Sequence, residues 1–184
     1  MVKMKVPEEP NEVLQRTVKG KKRIEIIEMI ANACAESQYF KFAKYENKSE
    51  SEIKEHLYNT IVRNLNDNYY NNKLEDVFPV VQFEADKRDT VNNKVFFGVG
   101  HRPDMIYKDD FTVAIEIKKG DVGSDIRAGL GQALVYSSVY DFVLYFFIDT
   151  TTDKKIKKSL SDSSNEAVLR WQLWDWHNIW FLVF

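Results

Sequence analysis

Arg102-Pro103-Asp104-Met105-Ile106-Tyr107, then Lys108-Asp109-Asp110, then Phe111-Thr112-Val113-Ala114-Ile115-Glu116-Ile117-Lys118 read as two β-strands joined by a tight polar turn. Successive side chains on a strand point to opposite faces. Phe111, Val113, Ile115 and Ile117 therefore share a core face, while Thr112, Ala114, Glu116 and Lys118 share a face that carries charge. Where Asp104 lies depends on the turn. Pairing Tyr107 with Phe111 across a three-residue loop sets Asp104 opposite Ala114 and diagonal to Glu116, with backbones about 7–8 Å apart on one face. A two-residue loop reverses the parity and drives an unpaired carboxylate into the core, which is costly. A site shared by Asp104 and Glu116 thus requires paired residue numbers with an even sum.

Two carboxylates on neighbouring strands offer the hard oxygen ligands that magnesium prefers. Pro103-Asp104 followed by Glu116-Ile117-Lys118 resembles the active-site pattern of the PD-(D/E)xK nuclease superfamily. The resemblance implies hydrolysis of DNA phosphodiesters with Mg2+, for which Mn2+ substitutes, leaving a 5′-phosphate and a 3′-hydroxyl. It also implies an α/β fold with a restriction endonuclease-like core: a mixed central sheet flanked by helices in the order α, β, β, β, α, β. Asp104, Glu116 and the Ile117 carbonyl would be the metal ligands. Lys118, one pleat beyond Glu116, would orient the attacking water, stabilise hydroxide or neutralise charge on the transferring phosphoryl group.

Two flanking helices extend the likeness. Gln132-Ala133-Leu134-Val135-Tyr136 is similar to the Q-x-x-x-Y element of the RecB-like and restriction-subunit branches, and residues four apart share a helix face. Gln132 is accordingly a catalytic candidate and Tyr136 a weaker, DNA-facing one. The segment from Glu50 to Val62 resembles the opening helix of type I restriction R-subunit nuclease domains. Aligning its apolar positions makes Glu50 the acidic ligand, with Glu52 and Glu55 as alternatives. His101, Arg102, Lys119 and Arg127 are further candidates for contact with DNA phosphates. His56, His101 and His177 have no metal-ligand spacing among themselves.

Outward from this centre, 184 residues suit one domain, 1–184, with a core at about 50–148, a helical extension at 1–46 and a further extension at 150–184. Cys34 is the single cysteine, which excludes an intrachain disulfide and a cysteine-held iron-sulfur cluster, and so departs from the iron-sulfur exonucleases of the superfamily. That departure favours an endonuclease. The expected location is cytoplasmic, with no membrane span, because no apolar run is long enough to cross a bilayer. A net charge of −2 argues against a generally basic nucleic-acid coat. Local basic clusters stand at Lys19–Arg23 and Lys154–Lys158 and read first as solvated surface.

Apolar spacing predicts a helix from about Asn11 to Tyr45, interrupted at Gly20, and a second through Ile53, Leu57, Ile61 and Leu65. Extended runs are expected at Val77–Glu84 and, after an Asn92-Asn93 turn, at Lys94–Tyr107. Ser124 is the expected N-cap of a helix from Asp125 to Val139, inside which Gly129 and Gly131 each cost about 1 kcal/mol relative to alanine. Their presence implies something packed close against that backbone. A buried strand follows at Asp141–Asp149, a short helix at Glu166–Trp174 and a last strand at Ile179–Phe184. The C-terminal tryptophans read as core or as a self-association surface, and a homodimer would supply two cuts on a duplex.

Overall fold

The computed structural model describes residues 18–36, 45–84, 94–96, 98–160 and 164–184. They form two compact units, 1–81 and 82–184. In the first, α1 (Val18–Glu36) packs on α2 (Glu50–Tyr69). Ile53, Leu57, Ile61 and Leu65, at four-residue steps, are all buried, as their spacing predicts. Ser49 and Glu52 close a capping box on α2, each side chain taking the other's backbone N–H. Gly20 lies buried in the first turn of α1 as described, which begins at Val18. The part of the expected first helix before residue 18 and after residue 36 falls outside the described residues.

A short helix, α3 (Leu74–Val77), and a turn occupy the start of the expected Val77–Glu84 strand, leaving β1 as Val81–Phe83. Pro79 has no N–H to give a ladder, so the strand begins only after it. The expected Lys94–Tyr107 run is divided into β2 (Lys94–Phe96), β3 (Val99–His101) and β4 (Met105–Lys108). Gly98, at φ +75°, supplies the left-handed residue between β2 and β3, which pair as a separate hairpin. The Asn92-Asn93 turn falls outside the described residues.

From β4 onward the second unit runs β5 (Thr112–Gly120), α4 (Gly123–Ser137), β6 (Phe142–Asp149), α5 (Lys155–Ser159), α6 (Asn165–His177) and β7 (Ile179–Val183). The fold is α/β, with a mixed five-stranded sheet ordered β1-β4-β5-β6-β7 and flanked by helices. β4 and β5 are antiparallel, whereas β5, β6 and β7 are parallel. Every residue of β6 is buried, as its unbroken apolar run requires. Helix α4 starts two residues before the expected one and is capped at Val122 without a side-chain bond, so Ser124 sits inside its first turn.

Trp174 and Trp180 are buried, stacking or tilting against Phe142 and each other, while Trp171 and Trp176 remain exposed. The C-terminal aromatic run thus serves partly as core. Helix α4 packs over β5 and β6, where its Ala133 and Tyr136, with Tyr140 just after its end, join one buried cluster with Ala114, Val143 and Tyr145. It therefore covers the face from which Glu116 projects.

Candidate active site

Met105 pairs with Ile115, Ile106 with Ala114, Tyr107 with Val113 and Lys108 with Thr112. The numbers sum to an even value, so Asp104 and Glu116 share a face. The register itself is two residues away from Tyr107–Phe111 pairing. Continued by one step it sets Asp104 opposite Glu116 rather than Ala114, at about 4.5–5.5 Å between α-carbons instead of a diagonal. Phe111 causes the difference. It belongs to the loop, where its carbonyl accepts the Asp109 N–H and its ring packs on Tyr107 and Phe142.

Met105–Ile115 is the last pair of that ladder, and Pro103 and Asp104 lie just before β4. Beyond the last pair the Ile117 N–H donates to Asp104 Oδ2 at 2.7 Å. On its other side, the Asp104 carbonyl accepts the Glu84 N–H at 2.9 Å. Arg102 fixes that corner by donating from Nη2 to the Glu84 carbonyl at 2.8 Å. Asp104 thus binds the β5 backbone through its side chain and the Glu84 backbone through its carbonyl.

Asp104 is 3% exposed and Glu116 1% exposed, both on the helix-covered face. The face expected to carry charge is therefore largely enclosed at these two residues. Lys118 Nζ meets Glu116 Oε1 at 2.8 Å, while its own side chain remains 25% exposed. One end of the ion pair is in the protein and the other reaches toward solvent. Above them lies Tyr136, fully buried. Burial, then the charges of Glu116 and Asp104, the Glu116 side chain and finally Glu84 push its hydroxyl pKa far up, so it stays a neutral phenol. Gln132, one turn earlier, is half-buried on the same side of α4.

Glu84 joins this acidic group although the sequence did not single it out: no motif surrounds it, and only the fold brings the end of β1 beside Asp104. The close packing expected at Gly129 is present, since a β-carbon there would collide with the Tyr145 phenol ring. Gly131 has no such neighbour.

The remaining candidates lie as follows. Glu50 belongs to the first unit and pairs with Lys54 at 2.7 Å, while Glu52 is occupied in the capping box. Hydrogen bonds from Ser49 and Lys48 lower the Glu52 pKa to about 2. Glu55 is exposed. His101 meets the Phe96 ring edge-on at 6.5 Å, Arg127 is exposed on the first turns of α4, and Lys119 is half-buried with the parity opposite to Lys118.

Among the described residues, no three His, Cys, Asp or Glu side chains converge as a ready metal cage. The donor set nonetheless fits a magnesium-type ion, which keeps several of its waters and needs only one or two carboxylates. Asp104 and Glu116 are hard donors on one face, and the Ile117 carbonyl leaves the strand on the side of its N–H, toward Asp104. Compared with protein-family models, with curated proteins and with solved structures, the chain finds no match in any of the three.

Proposed function

We propose that the chain is a magnesium-dependent nuclease that hydrolyses DNA phosphodiester bonds as an endonuclease, on a restriction endonuclease-like arrangement of its sheet. The observation carrying this reading is the meeting of Asp104, Glu116 and Lys118 just beyond the last pair of the β4–β5 ladder, Met105–Ile115. A phosphodiester resists attack because its anion repels hydroxide and its alkoxide leaves poorly. Asp104, Glu116 and the Ile117 carbonyl would hold the ion, which when bound supplies Lewis acidity and a more acidic water.

The chain's own groups do the rest. Lys118 stands at the solvent side of Glu116, where its ammonium can hold an attacking water or stabilise charge on the phosphoryl oxygens. Asp104 is kept in place by the Ile117 N–H, which donates to its Oδ2. Tyr136 stays protonated and closes the apolar side over the acids. Gln132 stands on the same helix face, where it can donate to a phosphate or a water.

A second reading, a non-catalytic DNA-binding or protein-interaction module, draws on the same geometry. Asp104 and Glu116 are each already tied to a protein donor, which is what a structural polar network requires. Linear, circular and branched DNA incubated with Mg2+, Mn2+ or chelator, beside Asp104→Asn and Lys118→Ala, separates the two. Metal-dependent cleavage by the parent and severe loss in both variants supports the nuclease. Equal cleavage by all three points to a contaminant and ends the assignment, whereas DNA binding without cleavage supports the module.

A further inference from the structure

We infer that the lysine-rich segment Lys154–Lys158 is a binding surface for the phosphodiester backbone of duplex DNA, continuing the track that begins at Lys118. This inference rests on the nuclease reading for its ligand, though not for its geometry.

Ile156 and Leu160, one helical turn apart, pack against the cluster built by Ala114, Tyr145, Phe147 and Val183. Ala114 has the same strand parity as Glu116 and Lys118, so α5 lies on the sheet face that carries them. The end of the sheet is also shared. Asp149, the last residue of β6, pairs with Gly120, the last of β5, and the Thr150 N–H donates to the Gly120 carbonyl at 3.0 Å. Lys118 stands two residues before that point. The lysines therefore follow the site in space as well as in face, at the carboxyl ends of parallel strands, where α/β sheets hold their ligands.

A helix of five residues does not persist by itself. Here it is fixed by a buried carboxylate: Asp149 Oδ1 accepts the Thr151 N–H at 2.9 Å and its hydroxyl, while Oδ2 accepts the Lys157 N–H at 3.0 Å. The Lys154 ammonium donates to the Asp149 carbonyl at 2.7 Å, and the Thr151 hydroxyl accepts the Lys155 N–H at 3.0 Å. With the apolar stripe turned inward, Lys155, Lys157 and Lys158 are exposed. Residues 118–125 and 149–158 hold six lysines against four aspartates, a local charge of +2 in a chain of −2. Exposed ammonium groups without a planar fork read phosphate charge and not base identity.

The test measures binding of a labelled duplex in chelator across a salt series from about 50 to about 200 mM, using the full chain, Lys155→Glu/Lys157→Glu/Lys158→Glu and the milder triple glutamine variant. Each lost phosphate contact lowers the log–log salt slope by about 0.9, so the expected reduction is about 2–3, with binding weakened at least about 10-fold at low salt. Lys108→Glu, at the end of β4 beside the first residue of β5, is expected to leave the slope unchanged. Thermal melts of both triple variants matching the parent confirm folding.

A triple variant with the parent's affinity and slope overturns the inference, even if the parent cleaves DNA, and then the nuclease reading stands alone. Binding that depends on these lysines in a protein that cuts nothing supports the surface and sinks the nuclease reading. A parent that binds duplex RNA but no duplex DNA overturns the ligand assignment.

Discussion

The Asp104 carboxylate holds the Ile117 backbone: its Oδ2 accepts the Ile117 N–H at 2.7 Å, just beyond Met105 and Ile115, the last paired residues of β4 and β5. One residue therefore carries a structural bond and a site charge. These roles come apart by substitution. Asn at 104 can still accept the N–H, so Asp104→Asn is expected to keep the parent's stability while losing at least about 100-fold in cleavage, a loss of the size seen for single electrostatic groups. Asp104→Ala also leaves the buried N–H without that acceptor, and should cost about 1–3 kcal/mol of stability besides. Thermal melts set beside cleavage rates check both; equal melting of the two variants would show that the bond contributes nothing.

Glu116 and Lys118 form the second such relationship. Lys118→Met should lower stability by about 1–3 kcal/mol, less than for a fully buried pair because a quarter of the lysine side chain stays in water. Glu116→Gln/Lys118→Met should recover part of that loss, since no carboxylate charge is left behind. A double-mutant cycle by chemical denaturation measures the coupling, and strictly additive effects would remove the ion pair from the account.

How much of this was legible before folding depends on how local each determinant is. The shared face of Asp104 and Glu116 followed from alternation, because strand period fixes parity without reference to anything distant. The register did not follow, since Phe111 is drawn into the loop by contact with Phe142, thirty-one residues further on. The α2 stripe at Ile53, Leu57, Ile61 and Leu65 was readable from spacing alone, because helical period is local. Glu84 was silent: an exposed glutamate becomes informative only when the sheet order sets β1 beside β4.

Asp149 makes a pH dependence that can be assigned to one group. Burial alone would raise its pKa, but the Thr151 hydroxyl, the Lys157 and Thr151 N–H groups and the Lys154 charge outweigh it and hold the carboxyl below its ordinary range. A carboxylate with a depressed folded pKa contributes stability that is complete above the unfolded value and is lost as pH falls through the folded one. The stability difference between the parent and Asp149→Asn should therefore be full above the ordinary aspartate range and shrink as pH falls below it. Urea denaturation across that range measures it, and a difference independent of pH would refute the assignment.

Gly129 and Gly131, two residues apart on α4, should respond to alanine in opposite directions. At Gly129 the new methyl meets the Tyr145 phenol, whose ring is stacked on Phe181 at 5.0 Å and cannot move aside without disturbing the core. Overpacking of this kind costs about 1–3 kcal/mol, more than the gain in helix propensity of about 1 kcal/mol. At Gly131 the backbone is exposed and no atom lies within 4 Å of the added carbon, so only the propensity gain remains, and stability should rise by up to about 1 kcal/mol. Adding Tyr145→Phe to Gly129→Ala removes the colliding hydroxyl and should restore part of the loss. Melting temperatures of the three variants decide the matter: a stabilised Gly129→Ala protein would mean that α4 does not lie against Tyr145, and the helix would then not cover Glu116 as described.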